Sequence, residues 1–209
     1  MGVKAPSLDW YFAEGCTGWG FETYLLFLNP GTSDAAVTLD FMTPAGAGAG
    51  TVKRSVVVPA SRRVTLKVND VIPGVDVSTR VHSSVPLVAE RSMLWQVPGG
   101  RAGHVTDGMT APASEVFLPE GCTAYGFETW LLAQNPGAAE STVAVFAMTD
   151  GGEEKLTGFK LAAGARKSVR LNDFYTGNLS IRVTATGPIA CERAVYWNNR
   201  GGGTCSIGY

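Results

Sequence analysis

The residues with most chemical potential in this chain are acids set into apolar runs: Glu22 within Phe21–Leu28, its counterpart Glu128, and the adjacent pairs Glu90-Arg91 and Glu192-Arg193. A carboxyl in such surroundings is either a tuned acid or a structural ion, and a buried ion survives only when paired or hydrogen-bonded, because nothing else replaces its lost hydration. Successive strand residues face opposite ways, so only one of Glu90 and Arg91 can point into the core. The expectation is a set of charge pairs, Glu22 with Arg91 or Arg80 and Glu128 with Arg193 or Arg182. The functional alternatives are a general acid at Glu22 or Glu90, or a carboxylate assisting an intramolecular Lys–Asn or Lys–Asp bond. Lys53 and Lys67 are the lysines available for such a bond in the first half, and neither has a lysine opposite in the second.

Acid–base or nucleophilic catalysis ordinarily needs a histidine or an activated cysteine with an orienting partner. Both histidines, His82 and His104, lie in the first half, opposite Thr184 and Thr204, which excludes a histidine-based site shared by both halves. Cys16 and Cys122 sit beside Gly and Thr with no histidine or lysine near in sequence, and read as small turn residues. No catalytic residue is expected. The four cysteines lack zinc-type spacing, and Gly46, Gly48 and Gly50 are not followed by the Lys-Ser/Thr of a phosphate loop, so neither a metal nor a cofactor is expected. Cys191 and Cys205 are placed either to bridge neighbouring strands as a disulfide or to remain two buried thiols. Asn69-Asp70 with Asp76, matched by Asn172-Asp173, offers oxygens for Ca²⁺, but Asx turns account for the same residues.

Two features suit ligand binding. Gly18-Trp19-Gly20 and Ala124-Tyr125-Gly126 each place an aromatic ring in a glycine-flanked turn, with Tyr24 or Trp130 nearby. Exposed rings of this kind stack on sugars, and repetition would add avidity. The reading adopted is that the rings plug the end of the fold; glycan binding by Trp19, Tyr125, Tyr24 and Trp130 is the alternative, and it requires rings that face solvent.

The elements carrying these residues come from an internal repeat. Glu14-Gly15-Cys16-Thr17 returns as Glu120-Gly121-Cys122-Thr123, Gly20-Phe21-Glu22-Thr23 as Gly126-Phe127-Glu128-Thr129, and Asn29-Pro30-Gly31 as Asn135-Pro136-Gly137. Farther on, Asn69-Asp70 matches Asn172-Asp173 and Glu90-Arg91 with Trp95 matches Glu192-Arg193 with Trp197, at a shorter spacing that places deletions in loops, one of them near Pro44–Gly50. Short runs rich in Val, Thr, Leu and Phe alternate with Gly, Pro, Asn and Asp clusters, and no segment sustains a helical period. Eight strands per copy are predicted, near Trp10–Ala13, Phe21–Leu28, Ala36–Thr43, Val52–Val58, Arg63–Val68, Asp76–His82, Leu87–Trp95 and Gly103–Asp107. The inventory is all-β: two tandem β-sandwiches, immunoglobulin-like or jelly-roll-like, over residues 1–111 and 112–209, joined around Thr110–Ser114 with Pro112 as a stiff link. A closed barrel is the alternative.

Composition agrees with such a pair. The 209 residues are 45% hydrophobic and 17% charged, enough for two cores and too few charges for a disordered tail. A net charge of −1 without like-charge runs gives no footprint for nucleic acid, and no apolar stretch is long enough for membrane insertion. Met1–Ser7 lacks the apolar core of a secretory signal.

The pattern Trp10-Tyr11-Phe12-Ala13-Glu14-Gly15, Gly20-Phe21-Glu22-Thr23, Asn29-Pro30, Glu90-Arg91 with Trp95, and the closing Gly99–Gly108 resembles a domain of unknown function found in long tandem arrays in secreted and cell-surface proteins of actinobacteria and related bacteria. The second copy departs from it at Phe117-Leu118-Pro119, where the first has Tyr11-Phe12-Ala13. The resemblance implies an extracellular or cell-surface origin, neighbouring repeats or domains of a larger surface protein as partners, and no catalytic residues. A non-catalytic structural or adhesive module is therefore the expected function, with a carbohydrate-binding module as the alternative.

Overall fold

The structure, a computed structural model, describes residues 3–45 and 51–209, so the Gly/Ala stretch Pro44–Gly50 lies outside it from position 46 onward. The first copy is built from β1 (Ser7–Phe12), β2 (Phe21–Asn29), β3 (Ala35–Met42), β4 (Thr51–Val58), β5 (Arg62–Lys67), β6 (Ser78–Val97) and β7 (Gly100–Asp107). The second repeats it as β8 (Ala113–Leu118), β9 (Glu128–Asn135), β10 (Ser141–Thr149), β11 (Gly152–Leu161), β12 (Ala165–Arg170), β13 (Ser180–Trp197) and β14 (Gly202–Ile207). All pairings between these strands are antiparallel.

Among the described residues each copy has seven strands where eight were predicted, because Asp76–His82 and Leu87–Trp95 fall in the two halves of the 20-residue β6. Its first half pairs with β1 and β3, its second with β2 and β7, so one strand belongs to both layers. The second copy does the same with β13, whose halves pair with β8 and β10, then with β9 and β14. Pro86 and its counterpart Pro188 sit where the partners change, and a residue without an N–H is tolerated where the ladder is interrupted. The sequence signal read as a strand boundary was this crossing between layers.

Alternation buries one face of each strand. In β2 and β3, Leu25, Phe27, Val37, Leu39 and Phe41 point inward against Trp10 and Phe12. In the second copy Leu131, Ala133, Val143, Val145, Ile181 and Val183 fill the same space, joined by Tyr11 and Met109 from the first. The repeated turn motifs are held by side chains. Asn29 donates from Nδ2 to the carbonyls of Ser33 and Val58 (2.8 and 3.0 Å) and accepts from Gly31 N–H (2.9 Å); Asn135 repeats all three bonds. Buried backbone groups in such a turn need partners, and Asn supplies three at once.

The copies touch through a third apolar cluster, with Ala13, Cys16, Phe21, Met93 and Trp95 from the first and Leu132, Ala194 and Tyr196 from the second. The two sides differ. Arg91, Met93 and Trp95 share a face of β6 with the core residue Ala89, so the first copy contributes the open end of its own sandwich interior. Glu192, Ala194 and Tyr196 alternate with the core residue Cys191, so the second copy contributes the outer face of its sheet.

Candidate functional site

Between the copies lies a cluster of buried polar groups. Arg91 Nη2 is 2.7 Å from Glu192 Oε2, 3.1 Å from Glu14 Oε2 and 3.1 Å from Cys205 Sγ. Glu192 Oε1 accepts from Ala13 N–H (2.8 Å), Tyr196 donates its hydroxyl to Glu14 Oε1 (3.0 Å), and His104 Nε2 stands 3.6 Å from Glu14 Oε2. Arg91 and Glu192 are each only 1% exposed, so the guanidinium must balance carboxylates from both copies without water.

The two carboxyls titrate apart. Burial would raise Glu14, but His104 and Arg91 bring it below the usual carboxylate range. Burial raises Glu192 beyond what Arg91 takes back, and Glu14 adds to the rise. Glu192 is therefore the carboxyl that keeps a proton to higher pH, as expected where two acids share one arginine. Burial pushes His104 down to about 4, which leaves its ring neutral at neutral pH. The Cys205 thiol is pushed well up, by burial first and then by Glu14 and Glu192.

Glu14, His104 and Cys205 place donor atoms within 4.8 Å of one another, the composition of a transition-metal site. Arg91 Nη2 lies within 3.1 Å of two of those donors, so a cation already stands among them and the residues do not fit a metal.

Around this centre the second copy grips the first. Arg166, 2% exposed, holds Asp76 Oδ2 at 3.2 Å from Nη1, while its backbone N–H donates to Thr43 carbonyl at 3.2 Å. Trp95 Nε1 donates to the Arg200 carbonyl at 2.6 Å, across the turn between β13 and β14. That turn runs through Asn198, Asn199 and Arg200, all with positive φ, a conformation that costs roughly 1–2 kcal/mol per non-glycine residue. A Cβ at Gly203 would lie 2.8 Å from the Tyr196 ring and 3.1 Å from the Trp95 ring, so glycine is what lets the indole approach.

The predicted residues fall elsewhere than expected. Glu22 pairs with Lys67 (2.7 Å) and Arg101, not with Arg91 or Arg80. Glu128 pairs with Arg170 (3.4 Å) and Arg200 (3.0 Å), not with Arg193 or Arg182. The reason is parity: Glu22 and Glu128 are on the outer faces, opposite the side that carries Arg91 and Arg193. Arg193 is instead bound to Glu120, through its carboxylate and its carbonyl. Arg80 pairs with Asp9 and Arg182 with Glu115 and Glu153. Cys191 and Cys205 are both free thiols on opposite faces of the sheet, one in the core and one against Arg91, so the disulfide alternative fails on geometry. Asn69 spends its side chain on Thr23 N–H and on the carbonyls of Thr17 and Phe21, and Asp76 belongs to Arg166; neither is free for Ca²⁺.

Trp19 and Tyr125 do not plug the sandwich ends. They are 75% and 87% exposed, with φ of 51° and 55°, each followed by a glycine near 82°. Asn69 and Asn172 brace the two turns identically. Trp19 and Trp130 line one cleft of about 210 Å³ between the copies, with Arg166 at its base; Tyr125 lines a separate cleft with Phe127 and Trp197. Tyr24 lies on the outer face of β2, beside Lys67. Sequence reasoning marked Glu192 as a charge needing a partner but placed neither it nor Glu14 nor Arg166 at an interface; the signal available for Glu14 was its repetition as Glu120.

The family model described as a family of unknown function (DUF5719) matches residues 3–204. Among curated proteins no relative is found. Similar solved structures include Thermotoga maritima 1070 (19% identity, TM-score 0.45, 50% of this chain and 94% of that one) and the Anabaena sensory rhodopsin transducer (26%, 0.35, 42% and 97%). A third is the Streptomyces avermitilis alpha-L-rhamnosidase complexed with L-rhamnose (8%, 0.23, 98% and 28%).

Proposed function

The chain belongs to the family of unknown function DUF5719, and from its geometry we propose a non-catalytic structural or adhesive module: a stiff spacer in an extracellular bacterial protein. The observation that carries this is the Glu14–Arg91–Glu192 cluster, which ties the copies through charges that cannot separate without losing their partners. A hinged pair of domains would keep its junction polar and wet; here it is apolar around the ions. In favour of a non-catalytic role, the one His/Cys/Glu group among the described residues has an arginine in its midst. The cell-surface setting, the tandem-array context in actinobacteria and related bacteria, and neighbouring repeats as partners rest on the sequence resemblance. No helix among the described residues is long and apolar enough to cross a membrane.

The test is the spread of distances between spin labels at the exposed strand positions Thr38 and Thr142, one in each copy. A spacer yields one narrow distribution. A broad one, as from two domains swivelling about Pro112, sinks the reading.

A second reading is favoured by the exposure of Trp19 and Tyr125: a carbohydrate-binding module in which strained turns present rings to sugars. It requires that glycan-array signal or sugar-induced fluorescence change be lost in a Trp19→Ala, Tyr125→Ala double variant. Silence of the parent chain on the array removes it.

A further inference from the structure

The junction between the copies is heterologous: an open sandwich end meets an outer sheet face. Contacts of this kind leave one unmatched surface of each type, and unless the rotation closes they extend without limit. Each unmatched surface is present here and can be aligned with its buried counterpart residue by residue.

The outer face of the second copy, covered by the first, carries Leu132, Gln134, Glu192, Tyr196, Cys205 and Arg166, all 7% exposed or less except the half-buried neighbours around them. The repeat and the strand register place Leu26, Leu28, Glu90, Leu94, Val105 and Arg63 at the same positions of the first copy. There they are uncovered: Leu28 is 48% exposed and Val105 55%. Glu90, at the position of Glu192, has no ion-pair partner among the described residues.

The complementary end repeats too. Glu14, Met42, Phe21 and Trp95 are buried at the junction, while their equivalents at the free end of the second copy are opened to solvent. Glu120 has 61% of its side chain exposed, Met148 is 39% exposed, and Phe127 and Trp197 are half-buried. Arg193 stands there already bound to Glu120, as Arg91 is to Glu14.

We infer that a second copy of this chain docks head to tail, the Glu120–Arg193 end of one molecule on the Glu90 face of the next, reproducing the junction inside the chain. The triad Glu14–Arg91–Glu192 then recurs as Glu120–Arg193–Glu90. The aromatic residues fall into the same order: Trp19 and Trp130 line the existing cleft, and Tyr125 and Tyr24 are the two halves of the next one. Several positions differ. Pro119 replaces Ala13, removing the N–H from which Glu192 accepts; Leu28, Leu94, Val105 and Thr204 replace Gln134, Tyr196, Cys205 and His104; and Asn178 replaces Asp76, the partner of Arg166, so the new junction is more apolar, less hydrogen-bonded and one ion pair poorer.

This inference rests on the spacer reading and fails separately from it. The experiment is sedimentation velocity of the intact chain over a rising concentration series, with two one-sided variants at exposed residues, Val105→Lys on the face and Met148→Lys at the end. The wild-type chain is expected to grow past the dimer. Each variant alone stays monomeric, because every contact needs one intact surface of each kind. An equimolar mixture stops at the dimer, since one face and one end remain. Both variants are checked for unchanged melting, so that loss of association is not loss of fold. A wild-type chain that stays monomeric throughout, or a variant that still associates alone, overturns the inference. Monomers whose spin-label distances stay narrow leave the spacer reading standing.

Discussion

Arg91 and Arg193 occupy equivalent places on β6 and β13, each beside the glutamate of the same repeated motif, yet their surroundings differ. Arg91 is enclosed by Glu14 and Glu192, both almost fully buried; Arg193 meets Glu120, whose side chain is 61% exposed. One motif thus makes a closed ionic cluster where another module covers it and, where none does, a half-open pair in which a buried Arg193 meets an exposed carboxylate. The electrostatic weight of a residue is set by what covers it more than by its immediate partner.

The largest effect should come from breaking the covered member. Arg91→Ala leaves two carboxylates with no cation in an apolar junction and should destabilise the chain by about 3–5 kcal/mol, the range for breaking a buried pair. Arg193→Ala, with Glu120 free to turn to water, should cost about 1–2 kcal/mol. Urea denaturation of the two variants side by side measures the difference; equal losses would mean that the covering copy adds nothing. Replacing Glu14, Arg91 and Glu192 together by Gln, Met and Gln should restore much of the stability, since the penalty lies in the unpaired charge.

The next contrast is in pH. His104 is held neutral by burial, its pKa lowered from 6.5 to about 4, so between those values the unfolded chain binds a proton that the folded chain does not. That contribution is complete above pH 6.5 and is lost as pH falls toward 4, by at most about 3 kcal/mol. Glu192, shifted upward, works in the opposite direction over part of the window. The difference between wild type and His104→Gln therefore isolates the histidine: melting temperatures of the two should diverge with pH between 6.5 and 4 and run parallel above. The second copy has Thr204 in this position and contributes no such limb.

The smallest effect is at the clasp. Trp95→Phe keeps the ring against Tyr196 but removes the bond to the Arg200 carbonyl, at a cost of about 1 kcal/mol. Trp197→Phe, at the equivalent place on the free end, should cost less. Melting temperatures of the two variants rank them, and a larger loss at Trp197 would show that the clasp is not what distinguishes the sites.

Much of the fold was legible because its determinants are local. Alternation in Phe21–Leu28 and Ala36–Met42 shows which face is buried, and the repeated Asn-Pro-Gly turns and Gly-Phe-Glu-Thr strand starts have side chains that bond within a few residues. The strand boundary at Pro86 was misread because a proline interrupts the ladder in the same way whether a strand ends or changes partners. The rule that Glu90 and Arg91 face opposite ways holds in both copies. It leaves both Glu192 and Arg193 buried, because a neighbouring copy covers the outer face as well.

The sequence by itself determined two sandwiches of one pattern, their turns, and the presence of charges that had to be paired. Only the tertiary structure decided the pairs. Glu14 and Arg91 meet Glu192 from the other copy, 101 residues from Arg91 and farther still from Glu14, through a face that no periodicity within either copy marks as buried. Alternation tells which side of a strand a residue takes; which surface is brought against that side is a long-range choice, made when the open end of one module excludes water from the back of the next.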